Sequence, residues 1–212
     1  MPPRPCAHPR GLYLLTPDEP DTPRLLTRVS AVLEQATVLQ YRNKLADTTL
    51  ARTQIAALLQ LCHERGVPLV VNDDWRLALA SGADGVHLGE GDGDIFAARE
   101  ALGARAIIGA SCYDSLEHAE AAAAAGVDYL AFGAFFPSPT KPLARRATPG
   151  LLHSAAKFDL PRVAIGGITP DNARIVVDAG ADLVAVISGV FDAADPVAAA
   201  QAYLQAFESR HA

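Results

Sequence analysis

The sequence predicts an α/β chain folded as a single (β/α)8, or TIM, barrel, and three observations carry that expectation. Short apolar strand patterns alternate with helical patterns from residue 11 onward, at spacings that suit parallel βαβ crossovers. Three stretches repeat one another: SGADGVHLG at residues 81–89, AGVDYLAFG at 125–133 and AGADLVAVISG at 179–189. Each leaves a helix at a Gly, turns through an Asp and enters a short apolar strand. Polar residues then collect just beyond the apolar strands, where a barrel of this kind builds its site. An open doubly wound sheet is the alternative. It would carry G-x-G-x-x-G after its first strand, and GLYLLTPDEP stands there instead.

In order, the chain starts with a Pro-rich tail over residues 1–10 and continues as one barrel domain over 11–212. GLYLLT at residues 11–16 reads as a buried strand, followed by a helical pattern in Leu25, Leu26, Val29, Val32 and Leu33. A second strand at residues 38–41 runs directly into Arg42, Asn43 and Lys44. Residues 48–65 suit an amphipathic helix closed by Gly66. A third strand over 68–71 ends in Asn72, Asp73 and Asp74, with Asp74 placed to cap a helix starting near Trp75. Further strands are expected in AIIGAS (106–111) and RVAIGGI (162–168), and Pro170 suits the first turn of a helix.

Composition narrows the function. The 212 residues are 50% hydrophobic and 20% charged, which is globular. A formal net charge of -6 disfavours nucleic acid as the main ligand. Cys6, Cys62 and Cys112 show neither a disulfide pattern nor metal-ligand spacing. No apolar run approaches the roughly 18 residues of a membrane span, and the N-terminus lacks the apolar core of a signal peptide. A cytoplasmic enzyme of small molecules is expected, with homo-oligomerisation left open.

The segment FGAFFPSPTKPLARRAT at residues 132–148 breaks the regular pattern. Its prolines forbid a helix or a central strand, so it reads as an active-site loop. It carries Ser138, Thr140, Lys141, Arg145 and Arg146, hydroxyls and cations suited to an anionic ligand. The other strand ends add Gln40, Arg42, Lys44, Asn72, Asp73, Asp92, Ser111, Gly166, Gly167, Ile187 and Ser188. Two carboxylates among cations describe a site for a metal ion and a phosphorylated ligand. Asp73 and Asp92 are hard oxygen ligands, few enough to leave room for water and phosphate, which suits Mg²⁺. Gly166, Gly167 and Ser188 match the phosphate site that barrels build after their last two strands. A purely structural reading makes Asp73 and Asp74 helix caps and Asp92 a turn residue. His87 reads as an internal hydrogen-bonded residue, and Cys112 and Trp75 as packing.

The combination of QYRNK (40–44), NDD (72–74), GVHLGEGD (85–92), GAS (109–111), FFPSPTK (135–141), GGIT (166–169) and VIS (186–188) resembles the thiamine-phosphate synthase family, in order over nearly the whole chain. The resemblance implies condensation of 4-amino-2-methyl-5-hydroxymethylpyrimidine diphosphate with thiazole phosphate. It implies that Gln40, Arg42, Asn43, Lys44, Asn72, Ser111 and Lys141 contact the pyrimidine diphosphate, with Arg42, Lys44, Lys141 and Ser111 catalytic. Asp73 and Asp92 would hold Mg²⁺, and Ser138, Thr140, Gly167, Ile187 and Ser188 the thiazole phosphate. Departures from the family pattern are Asn43 in place of a frequent Glu, Glu90-Gly91 in place of a Gln-Glu pair, and Ser138 in place of Thr. The alternatives are a thiazole tautomerase, which needs neither diphosphate nor metal, and a non-catalytic phosphate-ligand sensor.

Overall fold

The computed structural model describes residues 9–137 and 145–208. Eight strands close into a parallel barrel in chain order: β1 (Gly11–Leu15), β2 (Ala36–Tyr41), β3 (Leu69–Asn72), β4 (Gly85–Leu88), β5 (Ile107–Tyr113), β6 (Tyr129–Phe132), β7 (Arg162–Ile165) and β8 (Leu183–Val186). The ring closes where Gly11 pairs with Leu183 and Leu14 with Val186. Between and after the strands lie α1 (Thr22–Val32), α2 (Thr48–Arg65), α3 (Trp75–Ser81), α4 (Ile95–Leu102), α5 (Leu116–Ala124), α6 (Pro149–Ala155), α7 (Pro170–Asp178), α8 (Ser188–Phe191) and α9 (Pro196–Leu204). The regular alternation expected from the sequence is met, except that two helices, α8 and α9, follow β8. None of the described helices is long and apolar enough to cross a membrane.

Local chemistry sets the helix ends where the sequence places them. Asp47 accepts from the Leu50 amide at the start of α2, and Gly66 ends it in the left-handed conformation at φ +68°. Asp74 caps α3 in the same way through the Leu77 amide.

Strand side chains alternate between two cores. One face of each strand packs against the helices, with Leu12, Leu14, Leu39, Leu69 and Leu130 fully buried there. The other face fills the barrel interior with Tyr13, Leu15, Val38, Val70, Ile107, Tyr129, Val163 and Leu183. Burying one such large apolar side chain contributes about 1.5–3 kcal/mol. The Tyr129 ring reaches across β5, where a Cβ on Gly109 would sit 1.9 Å from it. Only glycine fits at that position.

The repeated Asp has a common structural role at the opposite end of the barrel from the loops that carry the polar residues. Asp84 accepts from the Leu69 amide, Asp128 from the Ile108 amide and Asp182 from the Arg162 amide, at 2.8, 2.8 and 2.9 Å. Each carboxylate thus ties the entry of its own strand to a neighbouring one. His63, Arg99 and Arg162 respectively pair with the three carboxylates.

Candidate active site

The site forms where β2, β3 and β4 end. Gln40 points into the barrel by its parity with Val38, while Tyr41 points out and donates to Gln54 at 2.9 Å. Arg42 follows at the rim, with its side chain 3.1 Å from Asp18. The Lys44 amide donates to the same Asp18 at 2.8 Å, so one carboxylate draws the first and second loops together. Asn43 makes three side-chain hydrogen bonds, to the Glu19 carbonyl, to Gln54 and from the Leu45 amide. It buttresses this loop from within, and its carboxamide is thereby committed to the protein.

At the end of β3, Asp73 adopts φ +67°, a left-handed conformation that Asp tolerates better than most residues. Its amide donates to the His87 carbonyl at 2.8 Å, which fixes the turn onto β4. Asp74, and not Asp73, is the helix cap. The Asp73 carboxyl takes no part in capping α3. Asp92 folds back onto the end of β4, where its Oδ2 accepts from the Gly89 amide at 2.8 Å.

Asp73 is pushed up to about 6 by burial first, then by hydrogen bonding with Asp92 and by its charge, while Arg42 and Lys44 pull the other way. Three of the residues singled out in the sequence, Asp92 from the loop after β4 and Arg42 and Lys44 from the loop after β2, thus act on the Asp73 carboxyl. A cavity of about 320 Å³ lies beside them, lined by Arg42, Asn43, Lys44, Asn72, Asp73 and Asp74 among others. A larger cavity of about 480 Å³ lies at Pro170, Arg174 and Gln205, and it contains none of the predicted site residues. The chemistry, rather than the volume, marks the smaller one as the site.

The opposite side of the mouth is built on close backbone approach. Gly166 and Gly167 have φ of +98° and +66°, and a Cβ on Gly167 would lie 2.4 Å from the Phe136 carbonyl oxygen. The loop after β6 therefore runs directly over the loop after β7, held by the Phe136 amide donating to the Gly166 carbonyl at 2.9 Å. Asn172 donates to the Gly167 carbonyl at 3.1 Å and accepts from the Thr169 amide, completing a capping box at the start of α7. Ile187 and Ser188 open α8 after β8. Ser138, Thr140 and Lys141 lie outside the described residues. The base of their loop is described: the Ala134 amide donates to Arg145, and the Ala147 amide to Ala134, both at 3.0 Å.

The chain matches the thiamine monophosphate synthase family over residues 12–190. The chain belongs to that family. A thiamine-phosphate synthase of Xanthomonas campestris pv. campestris (strain 8004) is 61% identical over 198 residues, covering 93% of this chain and 96% of the relative. One from Azoarcus sp. (strain BH72) is 58% identical over 200 residues, covering 93% and 97%. Among solved structures, a thiamine phosphate pyrophosphorylase from Pyrococcus furiosus superposes with a TM-score of 0.82 at 37% identity, covering 94% of this chain and 96% of that one. An orotidine 5'-phosphate decarboxylase from Pyrococcus horikoshii, at 16% identity and a TM-score of 0.69, shares the barrel fold.

Within this barrel, sequence reasoning missed two interior residues. Tyr13 and Tyr129 were counted only as part of apolar strands, yet their hydroxyls lie 2.7 Å apart inside the barrel. The available signal was their inward parity, since a phenol deep in a barrel needs a hydrogen-bond partner. His87 is buried and hydrogen-bonded, as its place in an apolar strand suggested, to Tyr129 through Nδ1 at 2.8 Å and to Ser111 through Nε2 at 2.9 Å. Burial drives its pKa down to about 4 against the opposing charge of Asp92, so at neutral pH one ring nitrogen donates and the other accepts. Tyr113 was also missed. Its hydroxyl accepts from the Glu90 amide at 3.1 Å, and the Arg145 guanidinium lies 5.7 Å over its ring.

Proposed function

We propose that the chain joins 4-amino-2-methyl-5-hydroxymethylpyrimidine diphosphate to 4-methyl-5-(2-phosphoethyl)thiazole, or to its carboxylated tautomer, giving thiamine phosphate and diphosphate. Beyond family membership, one observation carries this reading: the Asp73 and Asp92 side chains meet in hydrogen bonding at the barrel mouth, with Arg42 and Lys44 acting on the same half-buried carboxyl, which burial and Asp92 together push up. A thiazole tautomerase has no use for that arrangement, and a sensor has no need of a carboxyl held in so unfavourable a state.

The two carboxylates are a hard-oxygen donor set that fits Mg²⁺, an ion that fills its remaining positions with water and phosphate oxygens. When bound, the ion neutralises charge on the diphosphate as it departs. Arg42 and Lys44, joined by Lys141 from the loop after β6, complete that neutralisation. The electron-rich aminopyrimidine then loses diphosphate and leaves a cation stabilised at its methylene carbon. Gln40, Asn72 and Ser111 hold the pyrimidine.

The thiazole is anchored through its phosphate by Ser138, Thr140, Gly167, Ile187 and Ser188. Its ring nitrogen is held next to the methylene and captures the cation ahead of water. Asn43 serves this reaction by stiffening the loop that carries Arg42 and Lys44. No side-chain nucleophile takes part. The acting unit is the barrel of residues 11–212, and the cytoplasm, where both phosphorylated substrates would be made, is its proposed location.

The deciding experiment incubates the purified protein with both substrates and Mg²⁺. Equal amounts of thiamine phosphate and diphosphate are expected. Binding of both ligands without turnover would point to a sensor, and isomerisation of the thiazole alone would point to a tautomerase.

A further inference from the structure

One continuous chain of side-chain hydrogen bonds crosses the barrel interior through five strands. Gln40 Nε2 on β2 donates to the Tyr13 hydroxyl on β1 at 2.9 Å. The Tyr13 and Tyr129 hydroxyls are 2.7 Å apart, Tyr129 on β6 lies 2.8 Å from His87 Nδ1 on β4, and His87 Nε2 lies 2.9 Å from Ser111 Oγ on β5. At one end, Gln40 Oε1 is buried with no hydrogen-bond partner among the described residues. Gln40 as a whole is only 3% exposed. Leaving a buried amide oxygen unpaired costs about 1–3 kcal/mol, so such an atom calls for a reason.

Counting protons gives the chain a direction. The Tyr13 oxygen accepts from Gln40, so its own proton goes to Tyr129. The Tyr129 proton goes to His87 Nδ1, and the remaining imidazole proton on Nε2 goes to Ser111 Oγ. Each link is filled once. The second Gln40 N–H is directed at the Tyr129 hydroxyl, so what is left over is an unpaired acceptor, Gln40 Oε1, at one end and the Ser111 hydroxyl proton at the other. If the amide turned over, every link would reverse and Gln40 would offer an N–H instead. The chain therefore couples what Gln40 presents to the proton positions of the four residues behind it.

We propose that Tyr13, Tyr129 and His87 are positioning residues that hold the Gln40 amide with its oxygen toward the substrate, so that the subsite selects a pyrimidine with an exocyclic amino donor over its 4-oxo analogue. This rests on the reading of Gln40 as a pyrimidine contact under the proposed function. An amino group at position 4 donates to Gln40 Oε1 and satisfies the orphaned atom. A 4-oxo ring turns an acceptor toward an acceptor and leaves both unpaired. A site built around a specific hydrogen bond rejects the analogue lacking it far more strongly than an apolar pocket rejects a change of size.

The test compares the 4-amino and 4-oxo pyrimidine diphosphates on the wild type, Tyr13→Phe and Tyr129→Phe, by calorimetric binding and by turnover. Both substitutions keep the ring and remove the hydroxyl, and thermal unfolding of each variant gives the loss of stability separately. The wild type is expected to prefer the amino compound by about a hundredfold or more, and the variants by less than about tenfold, through weaker binding of the amino compound without matching loss for the oxo compound. A purely structural role would weaken both ligands alike and leave the ratio intact, and that result overturns the proposal. So does a wild type that binds the two compounds equally. Amino-selective binding that is lost in the variants, in a wild type that forms no thiamine phosphate, would sink the proposed reaction while leaving the positioning role standing.

Discussion

The Thr16 hydroxyl holds Arg42 at both ends of its peptide unit, accepting from the Arg42 amide at 2.8 Å and donating to its carbonyl at 2.7 Å. Thr16 lies at the end of β1 and is fully buried, so the position of a rim cation is set by a side chain that faces no solvent. Removing the hydroxyl leaves two backbone groups of Arg42 without this partner. Thr16→Val is expected to cost about 1–3 kcal/mol in urea unfolding. It should also raise KM for the pyrimidine diphosphate, because the Arg42 loop loses its anchor. A variant with reduced stability and unchanged KM would show that Arg42 does not depend on Thr16 for its placement.

The Asp73 and Asp92 pair makes a prediction with a definite sign. Asp92 raises Asp73 by hydrogen bonding and by charge, so Asp92→Ala should lower the Asp73 carboxyl from about 6 toward its ordinary value of 3.8. NMR titration of the carboxyl carbon reads this directly. Because the folded value lies above the unfolded one, the contribution of Asp73 to stability is complete below about 3.8 and is lost as pH rises through about 6. Asp73→Asn keeps a residue that tolerates the left-handed backbone and removes that loss. Its melting temperature without divalent cation should therefore exceed that of the wild type at pH 7.5 and converge with it near pH 4. Mg²⁺ should raise the melting temperature of the wild type and leave Asp73→Asn nearly unmoved. Turnover should fall severely in both variants.

Lys141 is expected to act on the departing diphosphate, whose charge grows as the bond breaks. Lys141→Met keeps most of the stem and removes the charge, and about 2–4 kcal/mol of transition-state stabilisation should go with it, roughly a thirty- to thousandfold fall in kcat. Arg146 is exposed at the return of the same loop, and Arg146→Met should cost less than about tenfold. Single-turnover stopped flow on the two variants separates chemistry from product release. The reverse order of effects would place the catalytic cation at the other end of the loop.

Asp128 offers a contrast from the far end of the barrel. Its Oδ2 accepts from the Ile108 amide and pairs with Arg99, bridging the entries of β5 and β6. Asp128→Ala should destabilise the fold by about 1–3 kcal/mol. At a temperature where the variant stays folded, kcat and KM should match the wild type, because this end of the barrel carries no site residue. A fall in kcat at full folding would mean that strand entry and site geometry are coupled.

The barrel was legible in the sequence because its signals are local and repeated. The Gly-Asp turn before residues 85, 129 and 183, the caps at Asp47 and Asp74 and the Gly66 helix end each concern residues a few positions apart, and their chemistry dictates the local conformation. The polar strand ends were legible for a related reason: parallel strands in a barrel all deliver their C-terminal residues to one mouth, so Arg42, Lys44, Asp73 and Asp92 could be grouped without knowing any distance. The pairing of those side chains belongs to the tertiary structure alone. That Asp73 stands against Asp92 and that Tyr13 meets Tyr129 from the far side of the barrel depend on how the ring brings separate strands together. Closure brings together side chains such as those of Tyr13 and Tyr129, 116 positions apart, and no local pattern encodes which hydroxyl will stand 2.7 Å from which.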